Sequence, residues 1–417
     1  MLINEILVKN YKPLVKAYIK PSKELVVFYG HNAGGKSSMI EAMLLTLRCT
    51  YGIYEEIFGK DLEEASIKIA SSINRFIKKT NESISMSISS KVNLLGENIT
   101  LEISASAKET STTTVPYLTE LKFRFKLGDE VYENIYSAVE GTYIKLPDGT
   151  VKTYQAPPPL SKSSLIDPNY YIDLKHYKNI LRISNLVNTY YDTEEKLKTI
   201  LNIQNNTLSN IVEIITAHNS LSDIYKELIN IFIRDLEYGR EFIIEYLDAL
   251  NYIVEDFEIN DIIFRENQIF IKQKTPSETV FSLKDLSSGL IRLMYILLKI
   301  FDIIYFKKYK FDIILKQAKI NTENIKPILF IENFENSLHV DWIENFVDWI
   351  SVYKPEVQIV AETHSGLVIS SALSRNYDVY YFEKGFTEKI TKENVAEKPM
   401  KLFRREQKVM QSILLRL

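Results

Sequence analysis

The sequence predicts an α/β fold: one α/β unit assembled from both ends of the chain, with an antiparallel β-meander and a helical subdomain inserted between. Three observations carry this reading. The apolar run Leu25–Tyr29 opens directly into a glycine-rich segment, Gly30-His-Asn-Ala-Gly-Gly-Lys-Ser37, and then into a helix-forming stretch, Ser37–Cys49. Residues from about 83 to 153 alternate apolar and polar at period two. Short apolar runs separated by helical stretches return only in the last third of the chain.

In chain order, residues 2–29 alternate and end in the strand before the glycine-rich loop. Residues 51–80 have the texture of an amphipathic helix. Glu82-Ser-Ile-Ser-Met-Ser-Ile-Ser89, Ile99-Thr-Leu-Glu-Ile-Ser104, Leu121–Leu127 and Tyr143–Leu146 read as strands of the meander, with a hairpin turn at Pro147-Asp-Gly149. The segment Tyr154–Leu160, with its triple proline, punctuates the chain, and residues 167–252 are helical in texture. Two short strands follow near Glu258–Phe264 and Ile269–Gln273, then a long helix over Gly289–Tyr309 and strands at Ile328–Ile331, Gln358–Ala361 and Val379–Phe382. The expected division is 1–50 and 256–385 for the two parts of the α/β head, 51–160 for a helix plus the meander, 161–255 for the helical insertion and 386–417 for a basic tail.

Composition narrows the class of function. The 417 residues are 46% hydrophobic and 25% charged, which is ordinary for a globular protein. A net charge of −3 excludes a uniformly basic surface. Cys49 is the single cysteine, so an internal disulfide or a CxxC metal clip is excluded and a reducing compartment is expected. The greasiest stretch, Leu290–Phe306, is interrupted by Arg292, Lys299 and Asp302, and reads as a buried helix rather than a membrane span. No signal peptide is legible at the N-terminus, and a cytoplasmic protein without membrane association is expected.

The glycine-rich segment has the G-x-x-x-x-G-K-S spacing of a phosphate-binding P-loop. Gly30, Gly34 and Gly35 allow the backbone of Gly30, His31, Asn32, Ala33, Gly34, Gly35, Lys36, Ser37 and Ser38 to wrap around phosphates. Lys36 can reach the β- and γ-phosphates, and the Ser37 hydroxyl can hold Mg²⁺. Glu332, after the apolar strand Ile328–Ile331, is placed where a Walker B carboxylate stands beside that cation. In Asp285-Leu-Ser-Ser-Gly-Leu-Ile-Arg292, Ser287, Ser288 and Gly289 open the long helix. They suit either a helix cap or an anion contact. His364 in Glu362-Thr-His-Ser365 follows another strand of the same sheet and suits a γ-phosphate sensor.

Taken together, Ile6–Tyr11, Gly30–Ala42, Leu286-Ser-Ser-Gly289, Glu332-Asn-Phe-Glu-Asn-Ser-Leu-His339 and Thr363-His-Ser365 resemble the ABC-type ATPases of the SMC, RecF and OLD-like group. The resemblance implies ATP and Mg²⁺ as ligands, with Ser37 and Glu332 on the metal. It also implies a head-to-tail homodimer in which Ser287, Ser288 and Gly289 of one copy close over ATP held at Lys36 and Ser37 of the other. Genome maintenance or mobile-element and phage defence follows as the expected setting, with DNA or RNA and a separate effector or nuclease chain as candidate partners. The sequence departs from the group at Asn333, where a second acidic residue usually stands. An amide orients water but does not accept its proton. Catalysis would fall to Glu332, Asn333, Glu335 and His364. Slow or partner-dependent hydrolysis is therefore expected, with a non-hydrolysing ATP-sensing scaffold as the alternative. A transporter nucleotide-binding subunit fits less well, because about 250 residues separate Lys36 from Ser288. Gln155 is a candidate Q-loop residue. The tail from Lys398 to Leu417, with six basic side chains against Glu406, reads either as a phosphate-backbone contact or as a solvated helix.

Overall fold

The computed structural model of the chain describes residues 3–51, 84–153, 212–313 and 326–392, less a few short stretches within the second and third of these. The helix expected up to residue 80, Pro147 and Asp148, Gln155, the helical texture before residue 212 and the basic tail lie outside the described residues.

The chain opens with a hairpin, β1 (Ile3–Tyr11) and β2 (Leu14–Ile19), followed by β3 (Leu25–Gly30) and helix α1 (Lys36–Tyr51). The meander comprises β4 (Ile84–Leu94), β5 (Glu97–Thr110), β6 (Thr113–Leu127), β7 (Glu130–Ser137), β8 (Gly141–Lys145) and β9 (Val151–Thr153). After β10 (Val212–Ile215) come α2 (Leu221–Asp235), α3 (Arg240–Ile253), and the strands β11 (Ile259–Arg265), β12 (Gln268–Gln273) and β13 (Thr279–Ser282). The remainder is α4 (Ser288–Phe306), β14 (Ile328–Ile331), α5 (Val340–Tyr353), β15 (Gln358–Thr363), α6 (Gly366–Ser374), β16 (Asp378–Glu383) and β17 (Phe386–Ile390).

Fourteen strands join in one sheet, ordered β10-β14-β15-β3-β16-β17-β2-β1-β4-β5-β6-β7-β8-β9. The five strands from β10 to β16 in that order run parallel. Both faces of β3, β14 and β15 are buried, which is why these segments read as unbroken apolar runs rather than as alternation. The residues of β3 divide between two layers. Leu25, Val27 and Tyr29 enter a large core with α2 to α6. On the other side, α1 packs on β1, β2, β3 and β4 and buries Met39, Ile40, Met43 and Leu47.

Three features go beyond the sequence reading or depart from it. The meander continues the head sheet outward, a junction the sequence reading left open: Ile3–Lys9 of β1 pairs antiparallel with Ser87–Val92 of β4. Within the segment read as helical, Val212–Ile215 is a strand paired in register with Ile328–Ile331 of β14. Four residues are too few for a period to separate strand from helix, and the pairing partner lies over a hundred residues away in sequence. Strands β13 and β17 were also not anticipated; β13 completes a small sheet with β11 and β12. The helices of 221–253 and the long helix near 289–309 stand where the periodicity put them.

Helix α4 is buried along almost its whole length and is the axle of the core. Its Phe301 ring meets Phe242, Tyr246, Trp349 and Tyr353 at centroid distances of 6.0 to 6.4 Å, joining α3, α4 and α5 through edge-on and tilted aromatic contacts. Phe301→Ala should lower the free energy of unfolding by about 3–5 kcal/mol, read from denaturant midpoints of the full chain. A loss below about 1 kcal/mol would show that this aromatic junction does not hold the helices together.

Candidate nucleotide site

Strand β3 delivers the glycine-rich loop between β15 and β16 at their carboxyl ends. Gly30 takes φ +149°, and a Cβ there would lie 2.2 Å from the carbonyl oxygen of Phe382, so only glycine lets the loop turn against β16. The Gly34 amide then donates to the His31 carbonyl at 3.0 Å, and α1 begins at Lys36. His31, Asn32, Ala33 and Ser37 are exposed, whereas Lys36 is 3% exposed and Ser38 is buried. The first turn of α1 thus offers free N–H groups and a hydroxyl at a helix N-terminus, the geometry that favours an anion.

Lys36 is folded back on its own loop. Its Nζ donates to the carbonyls of Gly30 (3.0 Å) and His31 (3.2 Å) and stands 3.6 Å from Oε1 of Glu362. The Ser37 hydroxyl donates to the same carboxylate, at 3.0 Å to Oε2 and 3.2 Å to Oε1. Burial pushes the Glu362 carboxyl above its ordinary range, and the nearby Glu332 charge adds to this, against the pull of Lys36 and Ser37. Burial also holds Lys36 below its ordinary value, despite Glu362 and Glu335. Both partners of the pair are therefore driven toward neutrality, so desolvation outweighs their mutual attraction.

The segment after β14 is tied to the strands on both sides of it. The Glu332 amide donates to Ile215 O at 2.9 Å and the Phe334 amide to Glu362 O at 2.8 Å. Asn333 takes φ +46°, a left-handed conformation that asparagine tolerates better than most residues. Glu335 accepts from the Thr363 hydroxyl (2.7 Å) through Oε2 and from the His364 amide (2.8 Å) through Oε1. His364 is half-buried. Burial, then the Lys36 charge, holds its imidazole below the usual histidine range, so the ring is neutral at neutral pH.

The third cluster stands at the start of α4. The Ser287 hydroxyl accepts from the Leu290 amide at 3.3 Å, an ordinary N-cap. Gly289 is seated against the turn after β14: a Cβ there would lie 2.3 Å from Ser337 O. Ser287 and Ser288 remain exposed. One turn further on, buried Arg292 donates from Nη2 to the carbonyls of Glu332 (3.0 Å) and Asn333 (3.3 Å). It clamps the backbone that carries Glu332.

The fold thus gathers the loop residues Gly30 to Ser38 with Glu332, Glu335 and His364, and places Ser287, Ser288 and Gly289 on the adjoining turn. Glu362 was not singled out from the sequence, though it had the same signal as Glu332: an acidic residue at the carboxyl end of a buried apolar strand. Ser37, Glu332 and Glu362 supply only oxygen donors, which suits a hard cation such as Mg²⁺. Among the described residues no cluster of three or more His, Cys, Asp or Glu side chains forms a protein-only metal cage. Mg²⁺, which binds through one or two carboxylates together with phosphate oxygens, fits such a set.

Strand, glycine loop, helix-borne lysine and hydroxyl, and an acid on a neighbouring parallel strand define a P-loop nucleotide hydrolase head. The chain belongs to the AAA ATPase domain family, which matches residues 1–369. No curated protein matches the chain. Among solved structures it is similar to the SMC head domain from Thermotoga maritima, at 12% identity and TM-score 0.41 over 94% of this chain and 99% of that one. It is similar to an SmcHead bound to the C-winged helix domain of ScpA, at 12% and 0.45 over 94% and 99%. A Smc head domain with an extended coiled coil, bound to the C-terminal domain of ScpA derived from Pyrococcus furiosus, matches at 14% and 0.39 over 97% and 99%. No described helix is long and apolar enough to cross a membrane.

Two outcomes follow from the electrostatics. A carboxyl raised in the folded state above its unfolded value of 4.5 contributes stability below that pH and loses it as pH rises through the folded value. Glu362→Gln should therefore raise the thermal midpoint of the nucleotide-free chain at neutral pH, with the gain shrinking toward pH 4; a lower midpoint at pH 7 would contradict this. Glu335→Ala strips the acceptor from Thr363 and the His364 amide. It should cost about 1–3 kcal/mol and speed hydrogen exchange at His364, which unchanged exchange would refute.

Proposed function

We propose that this ATPase is an ATP-gated head-to-tail dimer with slow or partner-dependent turnover. The observation that carries the reading is the exposure of Ser287 and Ser288 at the N-terminus of a buried 19-residue helix, beside the turn that follows Glu332. Their hydroxyls, with the free amides of that helix end, form an anion-binding surface that a second copy's bound triphosphate would complete. Within one copy, the amides of the Gly30–Ser38 loop and Lys36 would hold the phosphates, while Ser37 and Glu332 would hold Mg²⁺. Bound there, the cation would screen the charge shared by the β- and γ-phosphates. His364, neutral and fixed by Glu335, would report the γ-phosphate. Association then follows nucleotide occupancy by mass action.

Slow turnover rests on Asn333 and Glu335. Asn333 carries no proton acceptor of useful basicity, and both oxygens of Glu335 already accept hydrogen bonds. Glu335 is better read as a positioning residue for the Thr363–His364 turn than as the base. Action on DNA or RNA beside a separate effector chain is part of the proposal and rests on the motif resemblance. The ATP-sensing scaffold remains the second reading, favoured by the same Asn333.

Light scattering should give twice the monomer mass with ATP and Mg²⁺, and monomer without; Ser288→Arg should bind ATP yet stay monomeric. A wild type that remains monomeric at saturating ATP would exclude the gate. Asn333→Asp suits the left-handed turn better than Asn333→Glu and should raise phosphate release at least about tenfold. If wild-type release is already brisk and Asn333→Ala leaves it unchanged, the slow-turnover reading falls. Retention of the ATP-loaded chain on DNA, RNA or a neighbouring gene product tests the partner.

A further inference from the structure

We propose that Glu362 couples nucleotide binding to the metal, so that triphosphate enters this site as its Mg²⁺ complex and free triphosphate is rejected. One carboxylate touches both side chains that the triphosphate and the cation require: Lys36 Nζ at 3.6 Å and Ser37 Oγ at 3.0 Å. It sits on β15, the strand hydrogen-bonded to the P-loop strand, and its own carbonyl is held by the Phe334 amide. Its backbone is held by the sheet beside the loop, so the carboxylate stays tethered at the site when ligand arrives. The residue is 6% exposed, so water and salt screen its charge weakly.

The consequence is a matter of sign. Free triphosphate brings several negative charges toward Lys36 and must displace or confront a fixed, poorly screened carboxylate backed by Glu332. With Mg²⁺ the same carboxylate becomes favourable, as an oxygen donor or close counter-charge beside Ser37 and Glu332. Metal and nucleotide then strengthen each other's binding by the same factor. Glu362 as nothing more than a resting counter-ion for Lys36 gives a different pattern: its removal shifts nucleotide affinity equally with and without metal.

This inference rests on the reading of the loop as an ATP site, and the experiment separates the two. ATP binding to the full chain is titrated calorimetrically in Mg²⁺ and in EDTA, and the ratio of the two Kd values is the readout. Wild type should bind far more weakly in EDTA. Glu362→Gln should cut the ratio at least about tenfold, mainly by tightening the metal-free Kd, and Glu362→Asp should keep most of the wild-type ratio. Equal ratios for wild type and Glu362→Gln overturn the inference and leave the ATP site standing. Failure of wild type to bind ATP in either condition overturns both.

Discussion

The P-loop strand β3 is hydrogen-bonded on both sides by strands from the far end of the chain: Leu25–Tyr29 to Ile359–Thr363, and Val26–Gly30 to Asp378–Phe382. Everything at the site depends on this clamp. Gly30 turns against the Phe382 carbonyl, Glu362 reaches Ser37 from one neighbour, and Glu335 is fixed by Thr363 and His364 at the end of the same strand. No local segment can make the site alone. The loop acquires its form only when pairings separated by more than 300 residues have closed. Such non-local parallel pairing is slow to form, because loop-closure entropy is lost before any contact is gained.

The clamp concentrates charge where the parallel strands end. Glu332 and Glu335, both partly exposed, meet the buried side chains of Glu362, Lys36 and Arg292 there. Glu335 is satisfied by two hydrogen bonds, but Lys36 and Glu362 are both pushed toward their neutral forms by burial. The nucleotide-free site is thus held at an electrostatic cost that a bound polyanion and cation would relieve. Arg292 extends this network into the core. Its guanidinium holds the carbonyls of Glu332 and Asn333 from the same helix whose first turn carries Ser288. Through that helix the exposed serines are tied to the turn that carries Glu332 and Asn333.

Much of this was legible in the sequence, for identifiable reasons. The strand–loop–helix of Leu25 to Cys49 is local, and each glycine is required by backbone conformation or close approach, so spacing alone revealed it. The long strands of the meander alternate over enough residues for period two to stand out. Val212–Ile215 and the continuity of β1 with β4 were hidden because strand pairing between distant segments leaves no local trace. Glu362 was hidden differently. Its residue type and position were visible, but a hydrogen bond to Ser37 exists only once β15 lies beside β3.

Asn333 shows how backbone and charge jointly constrain one position. The turn after β14 needs a left-handed residue there, with φ +46°, and asparagine and aspartate are the side chains that accept this at least cost. Conformation therefore accounts for the absence of glutamate but does not choose between amide and acid. The choice falls to electrostatics. Glu362 is already raised by the Glu332 charge, and a further carboxylate on the adjoining residue would add like charge to a site where desolvation exceeds attraction. An amide keeps the turn and spares that repulsion. Once Glu362 closes β15 beside the loop, a second acid after Glu332 adds like charge to a site that already holds its carboxylates at a cost.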